Sequence, residues 1–273
     1  MAATPGWHRR DFPERIVCLV EEPTEILYQL GESHRIVGIS AYTVRPPEAR
    51  HEKPVVSAFI GGSLKKIQAL APDLIIGFSD VQADLARDLI KNHQQVLVFN
   101  QRSVQDILDV VIALGNLVGQ RQRARELVDS YVRRLDAARE RARTLPYRPK
   151  VYFEEWPDPT ISAIRWIGEL IEVAGGQDIF ADRRAGRAAT ERFVEHEMVA
   201  ARQPDVIIGS WCGKPLDPRA IKARPGYAQT PAVQHDRVYE LDAAIILQPG
   251  PAALTDGLDA LEAIIHAAAR PQP

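Results

Sequence analysis

Residues 72–78 read Pro-Asp-Leu-Ile-Ile-Gly-Phe, and residues 204–211 read Pro-Asp-Val-Ile-Ile-Gly-Ser-Trp. Each is a short apolar, β-branched run that follows Pro-Asp and stops at glycine. That pattern predicts a strand buried on both faces of a parallel sheet. Helical stretches precede both copies, at Leu64–Leu70 and Val194–Ala201. A second echo pairs Ile16-Val17-Cys18-Leu19-Val20-Glu21-Glu22-Pro23 with Lys150-Val151-Tyr152-Phe153-Glu154-Glu155-Trp156-Pro157. Here each strand is read as ending in two glutamates before a proline turn. Pro72 to Pro204 is an interval of 132 residues, and Glu21 to Glu154 is one of 133. The same order at nearly the same spacing predicts two α/β lobes built on one plan.

The other segments extend that plan. In the first lobe, Thr24–Leu30 reads as a helix closed by Gly31. Arg35–Ser40 and Gln95–Phe99 read as strands, and Val81–Asn92 as an amphipathic helix. In the second, Ile164–Ala174 is a helix ended by Gly175-Gly176, Arg237–Leu241 a strand and Asp256–Ala269 a closing helix. Strands alternating with helices give a doubly wound parallel sheet in each lobe. Between them, Ser103 and Asp106 mark a helix start. Ile107, Val110, Val111, Leu114 and Val118 follow at helical spacing, and a charged helix runs on past Gly119 toward Pro146. With no Gly/Ser linker, this connector is expected to be one long, stiff helix. The organisation is therefore an N-terminal tail over 1–14, an α/β lobe over 15–102, connecting helices over 103–146 and a second α/β lobe over 147–273.

Composition narrows the function. The 273 residues carry 34 basic and 36 acidic side chains, a formal net charge of −2, unlike the basic excess of nucleic-acid binders. At 45% hydrophobic residues the chain can bury a core. No apolar run reaches the roughly 20 residues of a transmembrane helix. Two cysteines, Cys18 and Cys212, provide neither a disulfide framework nor a cysteine zinc site. The seven histidines lack metal-site spacing, and the phosphate-binding and hydrolase signatures GxGxxG, GxxxxGK and GxSxG are absent. The first residues, MAATPGWHRRDFPE, contain no apolar signal core. This gives a cytoplasmic setting for the chain as it stands, or a periplasmic one if a leader has been removed.

Open α/β sheets bind ligands beyond the carboxyl ends of their strands. Candidate ligand-binding residues are therefore Glu21, Glu22, Tyr42, Arg45, Phe59 and Phe78 in the first lobe. In the second they are Glu155, Trp156, Trp211, Cys212 and Asp242. Aromatic walls with a few polar groups suit a bulky, partly apolar ligand. The glutamate pairs could act as acid and base or as metal ligands, or cap helix N-termini. Cys212 could be a nucleophile or an inert thiol.

The run RIVCLVEEPTEILYQLG, then RIVGIS, RPPEA, KPVVS, LKKIQALAPDLIIGF, ELIEVAGG and PDVIIGSW resembles the substrate-binding proteins of ABC importers for cobalamin and ferric siderophores, whose two lobes share a helical backbone. EEWPDP, WCGKP and QPGPAALTDGL are most similar to the cobalamin-binding members. The resemblance spans roughly residues 15–268. It implies a non-catalytic protein that holds cobalamin or another corrinoid between two lobes, with no cofactor required. Ferric siderophore, haem or metal-ion binding is the alternative, and a small-molecule enzyme using cleft carboxylates or Cys212 the alternative of another class. By this resemblance Tyr42, Phe59, Trp211 and Asp242 fall at pocket positions. Val20-Glu21 stands where the family often has Ser-Pro, and Arg45 where it often has an aromatic residue. The family docks on its ABC permease through an acidic residue on each lobe. Glu197 matches in the second lobe; Lys65 stands in its place in the first, a reversal of charge. With the polar N-terminus, this keeps open a relative that handles its ligand inside the cell.

Overall fold

A computed structural model describes residues 11–58 and 60–270. Its elements fall into two units. The first comprises the described residues up to Asn100 together with Val110–Glu126. The second comprises Gln101–Asp109 and the chain from Leu127 onward.

The first unit holds strands β1 (Ile16–Cys18), β2 (Ile36–Ser40), β3 (Val55–Ser57), β4 (Leu74–Phe78) and β5 (Val96–Phe99). All are parallel, in the order β3-β2-β1-β4-β5. Helices α1 (Glu21–Gln29), α2 (Ala49–Glu52), α3 (Leu64–Ala69) and α4 (Ala83–Lys91) connect them. Val17, Leu19, Val56, Ile67, Ile75, Leu85 and Leu89 form one continuous core, as strands apolar on both faces require.

Two helices follow, α5 (Val104–Leu117) and α6 (Arg121–Ala142). The connector is thus two helices, which corrects the expectation of one. The break lies at Gly119, whose φ of +77° is left-handed. The Gly119 amide donates to the Asn116 carbonyl and the Gln120 amide to the Gly115 carbonyl. That is the paired-bond ending in which glycine closes a helix. Ser103 and Asp106 start α5 reciprocally: the Asp106 amide donates to Ser103 Oγ and the Ser103 amide to Asp106 Oδ2.

The second unit holds β6 (Lys150–Pro157), β7 (Thr160–Ser162), β8 (Gln177–Asp178), β9 (Val206–Gly209) and β10 (Val238–Glu240). Its helices are α7 (Arg165–Val173), α8 (His196–Ala201), α9 (Pro218–Lys222), α10 (Pro231–Gln234), α11 (Ala243–Ile246) and α12 (Leu258–Ala269). Strands β10, β9, β6 and β8 are parallel, whereas β7 folds back antiparallel on β6. This sheet is mixed rather than wholly parallel, because the turn at Pro157-Asp158-Pro159 sends the chain straight back along β6. Its core gathers Tyr152, Phe180, Val199, Ile207, Ile221, Tyr227 and their neighbours. Among the described residues no helix is long and apolar enough to cross a membrane.

The repeated Pro-Asp-x-Ile-Ile-Gly has one physical explanation in both units. The Asp73 carboxylate accepts the amides of Glu14 and Arg15, just ahead of β1, at 2.8 and 2.9 Å. The Asp205 carboxylate accepts the Lys150 amide, at the start of β6, at 2.7 Å. The Asp73 and Asp205 amides in turn donate to the carbonyls of Arg15 and Lys150. Each aspartate therefore ties its strand to the start of its neighbour. The glycine answers a close approach: a Cβ at Gly209 would lie 1.9 Å from Leu216 Cδ1, and one at Gly77 2.8 Å from Gln82 Oε1.

Candidate ligand-binding surfaces

In the first lobe, the strand ends are less open than the sequence suggests. Helix α1 begins at Glu21 directly after Val20, so the two glutamates open a helix instead of ending a strand. Both are buried, Glu22 at 3% exposure, and Glu22 Oε2 has no hydrogen-bond partner. Burial raises the Glu21 pKa to about 7. Burial, with the charges of Glu21 and Glu25 added, raises that of Glu22 to about 8. The acidic pair is thus buried at the head of α1 and does not stand at an open strand end. Phe78 is likewise buried, at the end of β4. Arg45 Nε donates to Glu25 Oε1 at 3.1 Å, which ties the loop after β2 to α1. Tyr42, just beyond β2, keeps 41% of its surface exposed. Phe59 lies outside the described residues.

In the second lobe, the parallel strands β6, β9 and β10 lie side by side, so their carboxyl ends share one edge. Trp156 comes from β6, Trp211 and Cys212 follow β9, and Asp242 follows β10. The Trp156 Nε1 donates to the Asp158 carbonyl at 3.0 Å, and the Lys214 ammonium sits 4.4 Å from the centre of its ring. Trp211, Gly213, Lys214, Pro215, Glu240 and Asp242 line part of a shallow hollow of about 400 Å³. The glutamates here lie within β6 and are not at its end. Glu154 is fully buried and is held by Arg224, Nη1 to Oε2 at 2.5 Å and Nη2 to Oε1 at 2.9 Å, while Tyr152 Oη donates to Oε2 at 3.0 Å. Glu155 is gripped by the buried guanidinium of Arg192. Asp242 Oδ1 accepts the Ala244 amide and caps α11. Each of these carboxylates already has a structural partner. Cys212 is exposed and carries no disulfide.

Lys65 and Glu197 are each the second residue of their helix, α3 and α8, which lead into the matching strands β4 and β9. Both are exposed. They stand at one structural position of the repeat with opposite charge.

The sequence model described as periplasmic binding protein matches residues 16–245. The chain belongs to the periplasmic binding protein family. It is 29% identical to a vitamin B12-binding protein of Vibrio cholerae, over 96% of this chain and 91% of that one. It is 26% identical to an uncharacterized ABC transporter substrate-binding lipoprotein, YvrC, of Bacillus subtilis, over 93% and 80% of the two chains. Among solved structures it is similar to the periplasmic haem-binding protein RhuT of Roseiflexus, with a TM-score of 0.79, 26% identity and coverage of 94% and 99%. The two-lobed α/β architecture is that of this family, whose members are substrate-binding proteins of the ABC-importer type.

The second lobe of this binding protein also contains candidate residues that sequence reasoning passed over. Arg192 and Arg224 neutralise the β6 glutamates, and Lys214 crowns Trp156. The arginines lie 37 and 70 residues from their partners, so no local pattern links them. Lys214 had a signal, a lone cation between Trp-Cys-Gly and Pro just after a strand. Among the described residues, no three His, Cys, Asp or Glu side chains come together as a group that could hold a metal ion.

Proposed function

We propose that this protein binds a corrinoid, cobalamin or a close relative, and delivers it to an ABC permease from outside the cytoplasmic membrane. The observation that carries the reading is identity spread over nearly the whole length of a vitamin B12-binding protein. The tryptophan-bearing edge of the second lobe supports it, since large rings suit a flat, bulky macrocycle. Similarity to a substrate-binding lipoprotein supports the extracytoplasmic setting over the cytoplasmic one. The committed carboxylates of β6 speak for binding rather than catalysis, because a base held by a bidentate arginine is poorly placed to take a proton. Lys65 and Glu197 are our candidates for permease docking, with a partner surface acidic toward one lobe and basic toward the other.

Haem is the second reading, favoured by Tyr42 just beyond β2, 41% exposed, since a tyrosine can serve as an axial iron ligand, and by similarity to a haem-binding structure. One experiment separates the two. Purified protein is titrated with cyanocobalamin, dicyanocobinamide and haemin, following absorbance and melting temperature. Saturable spectral change with the corrinoids is expected, with stabilisation of about 2.7 kcal/mol at a hundredfold excess over Kd. A response to haemin alone would overturn the corrinoid reading in favour of haem.

A further inference from the structure

Lys214 occupies an unusual electrostatic position. Its ammonium lies over the Trp156 ring, 4.4 Å from the centroid, and its backbone amide donates to the Trp211 carbonyl in the turn after β9. The side chain is exposed, and among the described residues no carboxylate forms an ion pair with it. Two acids line the same hollow, Glu240 and Asp242. Each has an oxygen engaged by backbone: Glu240 Oε1 accepts the Leu216 amide at 3.0 Å and Asp242 Oδ1 the Ala244 amide at 2.9 Å. Trp156 is itself anchored through Nε1, so the ring that carries the ammonium is oriented.

An ammonium resting on an aromatic face keeps its full charge, because the ring quadrupole attracts it without neutralising it. Surface lysines ordinarily waver in solvent; this one is held at the carboxyl edge of the strands, where ligands of such sheets bind. Glu240 and Asp242 keep backbone partners and make no ion pair with Lys214, so the ammonium is available to pair with an anionic group on the ligand. We infer that Lys214 is a specificity residue that reads an anionic substituent of the bound macrocycle, while Trp156 and Trp211 accept its apolar body. The inference rests on the ligand reading above. The anion could be the phosphodiester of a cobalamin nucleotide loop or the propionate carboxylates of haem; the shared chemistry is a negatively charged oxygen at the rim of a planar ring system.

The test uses probes matched with and without the anionic group: cyanocobalamin against dicyanocobinamide, which lacks the phosphodiester, and haemin against its dimethyl ester. Affinities are measured by calorimetry or absorbance for wild type, Lys214→Gln and Lys214→Arg. The readout is the ratio of affinities, the probe bearing the anionic group over the one without it. In K214Q the ratio should fall about tenfold, the scale of one lost charge-assisted hydrogen bond, and K214R should restore most of it. An unchanged ratio in K214Q, or an equal loss for both members of a pair, overturns the role of Lys214. Haemin binding without corrinoid binding overturns the corrinoid reading alone, and the haemin pair then judges Lys214. Binding of none of the four probes overturns both.

Discussion

Glu22 is a buried carboxyl group of the first lobe with acidic neighbours. Its carboxyl group is buried beside Glu21 and Glu25 at the head of α1, and Cys18, whose pKa burial raises to about 12, lies at the end of the preceding strand. Arg45 compensates Glu25 and not Glu22. A carboxyl whose folded pKa is raised binds its proton more tightly folded than unfolded. Its contribution to stability is complete below about 4.5, the ordinary value, and is lost as pH rises through about 7 to 8. Melting temperature should therefore decline between pH 5 and pH 8.5. Glu22→Gln, which is neutral throughout, should flatten that decline and melt higher than wild type above pH 8. Equal slopes in the two proteins, followed by calorimetry across the range, would contradict this assignment.

At the scale of elements, β6 carries a buried glutamate, Glu154, and a half-buried one, Glu155, and depends on arginines from elsewhere to hold them. Removing one partner of a buried ion pair leaves an uncompensated charge, at a cost of about 3–5 kcal/mol. Arg224→Met should be destabilised by that amount in urea unfolding, and adding Glu154→Gln should recover most of it; a double variant as unstable as the single one would show that packing dominates. The elements differ in how readable they were. Strands β4 and β9 were legible because burial on both faces forces an unbroken apolar run. The Ser103 start of α5 was legible because capping is local chemistry. The fate of the glutamates was not, because a Glu-Glu-Pro run is compatible with a strand end, a helix start or a mid-strand position. The deciding partners, Arg192 and Arg224, are distant in sequence. Strands β7 and β8 escaped notice because two or three residues carry no period. The end of α5 at Gly119 was not legible, because a lone glycine is compatible with a continuing helix and only its left-handed φ makes it the end of one helix and the prelude to another.

At the scale of the whole molecule, each lobe owns a sheet and a core, yet neither is one continuous piece of chain. The first is completed by Val110–Glu126, where Gln120 Nε2 donates to Glu32 Oε1 and Arg123 packs over Gly31. The second needs Gln101–Asp109, where the Val104 amide donates to Glu169 Oε2 and Gln101 Nε2 to the Pro249 carbonyl. A fragment ending at Glu126 should therefore resist urea better than one ending at Arg102, as far-ultraviolet circular dichroism can show; equal midpoints would mean that the α5–α6 segment adds nothing to the lobe. The same threading sets an order of events on the ribosome. The first lobe can close once residue 126 has left the exit tunnel. Residues 101–109 emerge before that moment but find their last partner only when Pro249 has been synthesised. An apolar stretch containing Ile107 and Leu108 thus waits for its last partner through about half of translation, an interval in which a chaperone can shield it.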